Sequence, residues 1–216
     1  MVKDINPSGS GVYVGIGHPT ETTQVNGILF FAANDGDHGY ELWKTDGTPD
    51  GTEMVKDINS TGDGIVVDID NMLTVESVNG IVFFAANDGT NGVELWKSDG
   101  TEAGTVMVKN INPYGDGIPS LRDGRFLINV EGELLFSGNN GVNGVELYRS
   151  DGSGPGTTMV GDIHPAGDSR PLWGTVIGKT LFFTADDGKS GRELWKYESD
   201  EFPWLPFLPA ILKKQK

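Results

Sequence analysis

Short apolar runs, each introduced by a tight turn and followed by glycine-rich polar residues, recur along the chain in a fixed order. Val25-Asn26-Gly27-Ile28-Leu29-Phe30-Phe31 is echoed by Val78-Asn79-Gly80-Ile81-Val82-Phe83-Phe84, Val130-Glu131-Gly132-Glu133-Leu134-Leu135-Phe136 and Ile177-Gly178-Lys179-Thr180-Leu181-Phe182-Phe183. A run this short, rich in aromatic and β-branched residues and bounded by turn residues, predicts a buried strand. Loops such as Asn34-Asp35-Gly36-Asp37-His38-Gly39 and Asn87-Asp88-Gly89-Thr90-Asn91-Gly92 come next, with glycine supplying the positive φ of a reversal. The residues after them alternate. Tyr40, Leu42 and Lys44 fall on one face and Glu41 and Trp43 on the other, which predicts a second strand. Asp46-Gly47-Thr48 turns the chain into a third strand over residues 52–58, and a more variable stretch around residues 65–70 carries a fourth. No segment shows helical periodicity with caps.

The pattern is a repeat. Val2-Lys3-Asp4-Ile5, Val55-Lys56-Asp57-Ile58, Val108-Lys109-Asn110-Ile111 and Val160-Gly161-Asp162-Ile163 are spaced by 53, 53 and 52 residues. Three or four antiparallel strands in about 50 residues is the arithmetic of a propeller blade. The expected fold is therefore all-β, a β-propeller of four blades with three to four antiparallel strands each. Residues 1–200 form the domain and residues 201–216 an apolar, proline-rich tail. The chain starts at the third strand of a unit and its last copy stops after the second. Residues 1–5 are thus expected to complete the fourth blade and close the ring, removing its edges. Half of a larger propeller is the competing reading, and a β-solenoid the third.

The clearest phrase is Glu41-Leu42-Trp43-Lys44-Thr45-Asp46-Gly47-Thr48, repeated as Glu94-Leu95-Trp96-Lys97-Ser98-Asp99-Gly100-Thr101 and softened in Glu146-Leu147-Tyr148-Arg149-Ser150-Asp151-Gly152-Ser153 and Glu193-Leu194-Trp195-Lys196. On these residues, together with Phe-x-Ala-Asn-Asp-Gly and Asn-Pro-x-Gly, the chain resembles the ELWxxDGT-repeat proteins of bacterial exported and surface polypeptides. The resemblance runs from Met1 to about Lys196. It implies a propeller-like extracellular or envelope module, typically part of a longer chain, with no established catalytic activity. The fourth copy departs after Lys196, where Tyr197-Glu198-Ser199-Asp200 replaces the Asp-Gly-Thr turn.

Charge narrows the partners. The 216 residues carry a net charge of −15, a surface that repels nucleic acid and anionic lipid. Cysteine is absent, which excludes disulfides, thiol nucleophiles and cysteine-bound zinc. The first residues lack the apolar stretch of a signal peptide. Phe202 to Leu212 is apolar but holds three prolines, too short and too broken for a spanning helix.

Chemistry is harder to place. Glu41, Glu94, Glu146 and Glu193 recur in every copy, and a residue needed by every copy belongs to the scaffold, here as an acceptor for turn N–H groups. Trp43, Trp96, Tyr148 and Trp195 are expected to pack between blades. Calcium is the specific alternative, with hard oxygen ligands in Asp35, Asp37 and Glu41, in Asp88 and Glu94, and in Asp186, Asp187 and Glu193. Gly174-Thr175-Val176-Ile177-Gly178-Lys179-Thr180 imitates a phosphate loop but is one residue short and precedes a strand. His18, His38 and His164 have no metal-site spacing. Ligand binding is expected instead where the copies differ, in the connectors after Asn-Pro-x-Gly. These carry Tyr13 and His18, then Asp68 and Asp70, then Arg122 and Arg125, and finally Arg170 and Trp173. The reading is a non-enzymatic binding or adhesion module outside the cell, with no cofactor unless calcium. It would act as a monomer, or as a dimer sharing one ring, on carbohydrate or another surface protein. A structural spacer, or a carbohydrate-active enzyme with its site at the axial mouth, are the alternatives.

Overall fold

The chain is seen in a computed structural model that describes residues 1–12, 22–65, 75–119 and 126–199. Four antiparallel sheets follow one another along the sequence. The first blade holds β1 (Thr23–Val25), β2 (Ile28–Asn34), β3 (Tyr40–Thr45) and β4 (Glu53–Lys56). The second holds β5 (Val75–Val78), β6 (Ile81–Asn87), β7 (Val93–Ser98) and β8 (Val106–Lys109). The third holds β9 (Leu127–Val130), β10 (Glu133–Asn139), β11 (Val145–Ser150) and β12 (Thr158–Gly161). The fourth has three strands, β13 (Leu172–Ile177), β14 (Thr180–Asp186) and β15 (Arg192–Glu198). Every blade is a meander of sequential neighbours, the β-propeller expected from the repeat.

Turn chemistry fixes the register. Asn26 and Gly27 have φ of 52° and 84°, Asn79 and Gly80 of 53° and 81°, and Glu131 and Gly132 of 52° and 90°. Two consecutive positive φ values joining strands two residues apart make a type I′ hairpin. The same bulge recurs where Leu42 pairs Lys56 but Trp43 pairs Met54, leaving Val55 extra, and again at Leu95 and Leu147.

Alternation along the strands gives each blade two apolar faces. Phe30, Ala32 and Leu42 of the first blade meet Phe84, Ala86 and Trp96 of the second. Phe83 and Leu95 meet Phe136 and Tyr148, and Leu135 and Leu147 meet Phe183 and Trp195. The repeated aromatic thus packs on the preceding blade, as its recurrence implied. Phe84, Phe136 and Phe183 are wholly buried, each worth about 2–3 kcal/mol relative to exposure.

The strands differ from the expected set in detail. The innermost strands β1, β5 and β9 were legible only as turns, because they are three or four half-polar residues long. The fourth strand expected around residues 65–70 is not formed at Ile65, and the rest of that stretch lies outside the described residues. Residues 1–5 form no strand and do not join β15. They lie against the first blade instead. Lys3 Nζ donates to Thr52 O at 2.6 Å, and Ile5 packs on Phe31, Ala33 and Trp43.

Candidate functional site

The most perturbed acidic groups belong to the scaffold. Glu41 is fully buried, and its two oxygens accept the backbone N–H groups of Ile58 (3.0 Å), Asn59 (3.2 Å) and Gly64 (3.0 Å). Glu94 does the same for Ile111 and Asn112 at 2.9 and 3.0 Å, and Glu146 for Ile163 and Ser169 at 3.0 and 3.1 Å. Burial pushes the Glu41 and Glu94 carboxyls up to about 7 and raises Glu146, while the N–H donors pull the other way. Each carboxylate ties strand three of its copy to the connector leading into the next blade. Glu193 is exposed and lies outside this pattern.

This arrangement separates the residues considered for calcium. Asp35 Oδ1 accepts the N–H groups of Asp37 and His38 at 3.0 Å, and its Oδ2 lies 2.8 Å from His38 Nδ1. Burial acts to raise Asp35, but these hydrogen bonds hold it below the usual carboxylate range. Asp88 and Asp187 close the equivalent turns, accepting from Thr90 and Asn91 and from Lys189 and Ser190. Glu41 and Glu94 face inward with their oxygens engaged elsewhere. Among the described residues no three His, Asp or Glu side chains are placed to share an ion.

A cleft of about 390 Å³ lies between the first two blades, floored by Val25, Ile28 and Phe30 and edged by Lys44, Glu53, Asp46 and Asp99. Its polar groups are engaged with one another. Lys44 Nζ reaches Glu53 Oε1 at 3.0 Å and Gly100 O at 2.8 Å, and Lys97 repeats the second bond to Gly152 O. The cleft is an inter-blade seam of the repeat.

One place breaks the repeat. Of the five non-glycine residues with positive φ among those described, three sit in the hairpin turns above, and the other two are Arg170 (46°) and Trp173 (59°). Leu172 pairs Thr184 and Thr175 pairs Phe182, so β13 carries one residue more than β14 across this interval. The bulge places Trp173 in a left-handed conformation that costs an ordinary side chain about 1–2 kcal/mol. Trp173 is 64% exposed. Gly174 lets this backbone close on the third blade, since a Cβ there would come within 2.8 Å of the Phe126 ring. Arg170 is exposed, with Nε 3.4 Å from Asp168 Oδ2. Arg192 at the start of β15 donates from Nη1 to Arg170 O at 2.9 Å. Arg192 is thus tied to the backbone of Arg170, and the exposed Trp173 follows three residues on, where the last connector enters its blade.

Arg170 and Trp173 were both legible as candidates. Arg192 was missed, because only the β14–β15 hairpin brings it back to the connector. Tyr13, His18, Asp68, Asp70, Arg122 and Arg125 lie outside the described residues.

No family model and no curated protein matches the chain. Among solved structures it is similar to puromycin hydrolase, at 12% identity and a TM-score of 0.51, over 85% of this chain and 28% of that one. It is also similar to a prolyl endopeptidase (15% identity, TM-score 0.43, 84% of this chain and 28% of that one). An α-L-arabinofuranosidase from Clostridium thermocellum shares 16% identity with a TM-score of 0.34, over 87% of this chain and 70% of that one. At such identities the likeness is one of fold alone.

Proposed function

We propose that the protein is a non-catalytic binding module of the cell exterior that takes an acidic carbohydrate at the junction formed by Arg170, Trp173 and Arg192. The observation that carries this reading is the strained, exposed Trp173. A bulge that holds an indole in a glycine-favoured conformation, open to solvent and three residues from Arg170, suits stacking on a sugar ring while guanidinium groups of the same connector region meet its carboxylate. Backbone strain of this kind concentrates at ligand sites. The raised carboxylates Glu41 and Glu94 are engaged by backbone N–H groups, which argues against their use as catalytic acids. The exterior location rests on the resemblance to surface repeat proteins.

Titrating the protein with uronic-acid oligosaccharides tests this. Trp173→Ala and Arg170→Ala are expected to weaken binding roughly tenfold or more each, a loss of about 1.4 kcal/mol or greater, with unchanged thermal midpoints or slight gains. Equal binding by both variants, or release of new reducing ends during incubation, would contradict the proposal.

A further inference from the structure

The fourth blade presents a face that the other blades bury. Leu42, Leu95 and Leu147 are completely buried, whereas Leu194 at the same repeat position is 40% exposed. Phe182 and Thr184, on the same face, are only half-buried. The opposite face, with Leu181, Phe183 and Ala185, is sealed against the third blade. Among the described residues β15 is a sheet edge.

Residues 1–12 are the converse. They spell the strand-four and connector phrase, and they sit on the first blade as a connector sits on the blade after it. Asn34 N donates to Gly11 O at 2.8 Å, as Asn87 N does to Gly64 O at 2.8 Å and Asn139 N to Gly117 O at 2.9 Å. Lys3 reaches Thr52 O as Lys56 reaches Thr105 O and Lys109 reaches Thr157 O. Yet the strand they continue belongs to no sheet here, and Val2 is 46% exposed where Val55 is 5%. No apolar cluster among the described residues joins the fourth blade to the first. Among the described residues the fourth blade therefore offers an unpaired edge, and residues 1–5 a strand phrase that pairs with no sheet.

We propose that a second copy of this chain docks head-to-tail, its residues 1–12 pairing with β15 and burying Leu194. Glu193 then accepts the backbone N–H groups of Ile5, Asn6 and Gly11 of that copy, the bonds Glu41 makes to Ile58, Asn59 and Gly64. The same contact made in both directions closes two chains into one ring and removes both open edges. The occupant follows from sequence complementarity: the docking face has the repeat's own Glu-Leu-Trp-Lys strand, whose partner in every other copy is a phrase of this type.

The chain has no cysteine, so engineered thiols report without background. Lys56 pairs Leu42 in the first blade, which makes Lys3 and Leu194 the corresponding pair across the junction. Mixing separately prepared Lys3→Cys and Leu194→Cys proteins under mild oxidation is expected to give one disulfide-linked species of twice the 23.2 kDa chain mass. Light scattering of the unmodified protein is expected to show that doubled mass. A single-chain mass with no link between the two preparations overturns the proposal. So does a Lys3→Cys/Leu194→Cys double variant that links within one chain, because the segment would then close its own ring.

Discussion

At the scale of single residues, the repeat has a division of labour that recurrence alone makes testable. Glu94 and Glu193 occupy the same place in the repeat, but only Glu94 accepts buried backbone N–H groups. Replacing Glu94 by Gln puts an amide N–H₂ against donors and leaves them unsatisfied, so Glu94→Gln is expected to destabilise by about 2–4 kcal/mol. Glu193→Gln under dilute, single-chain conditions is expected to be neutral. Thermal melts of the two variants decide it, and equal losses would refute the scaffold role. The same carboxylates set a pH dependence. Their folded pKa is raised above the ordinary 4.5 to about 7 for Glu41 and Glu94. Their contribution is therefore complete below pH 4.5 and is lost as pH rises through about 7, at most about 3 kcal/mol for each. The turn aspartates Asp46, Asp99 and Asp151 are held low by hydrogen bonds from Thr48, Thr101 and Ser153, so they act in the opposite sense but only in stronger acid. The thermal midpoint is expected to be higher at pH 5 than at pH 8, and a rise across that interval would show the carboxylates ionised in the core.

At the scale of elements, the hairpins separate what the sequence states from what only the fold supplies. Asn26-Gly27 and Asn79-Gly80 announce their turns, because asparagine and glycine tolerate the two positive φ values of type I′. The third copy adopts the same turn with Glu131 at φ 52°, where asparagine is better suited. Glu131→Asn is expected to stabilise by about 0.5 kcal/mol, since its ion pair with Lys179, at 3.7 Å, is largely exposed. An unchanged or lower midpoint would argue that the turn does not limit that hairpin. β6 and β10 were legible as apolar runs because both their faces are buried between blades, and β2 and β14 because one face is sealed against a neighbouring blade. β1, β5 and β9 were not, because runs as short as Thr23-Gln24-Val25 carry no period that separates strand from turn. The Trp173 bulge was legible only as a residue that breaks the repeat, since its left-handed backbone follows from the register of β13 on β14 and from Gly174 closing on Phe126.

At the scale of the whole molecule, four copies of one meander stack so that Trp96, Tyr148 and Trp195 each pack on the preceding sheet. What recurs is consumed by that stacking, which leaves recognition to what does not recur. Residues 1–5 fit the fourth blade in wording, while in the structure they form no strand and lie on the first. The ligand-site account rests on Trp173, the one exposed indole among the described residues, since Trp43, Trp96 and Trp195 are buried. The most direct measurement is therefore the change in tryptophan emission as a uronic-acid oligosaccharide is titrated into the native protein and into Trp173→Phe. A saturable change in the native protein that disappears in the variant is the expected result. The same change in both proteins, or binding that leaves the emission of the native protein untouched, would place the ligand elsewhere and contradict the account.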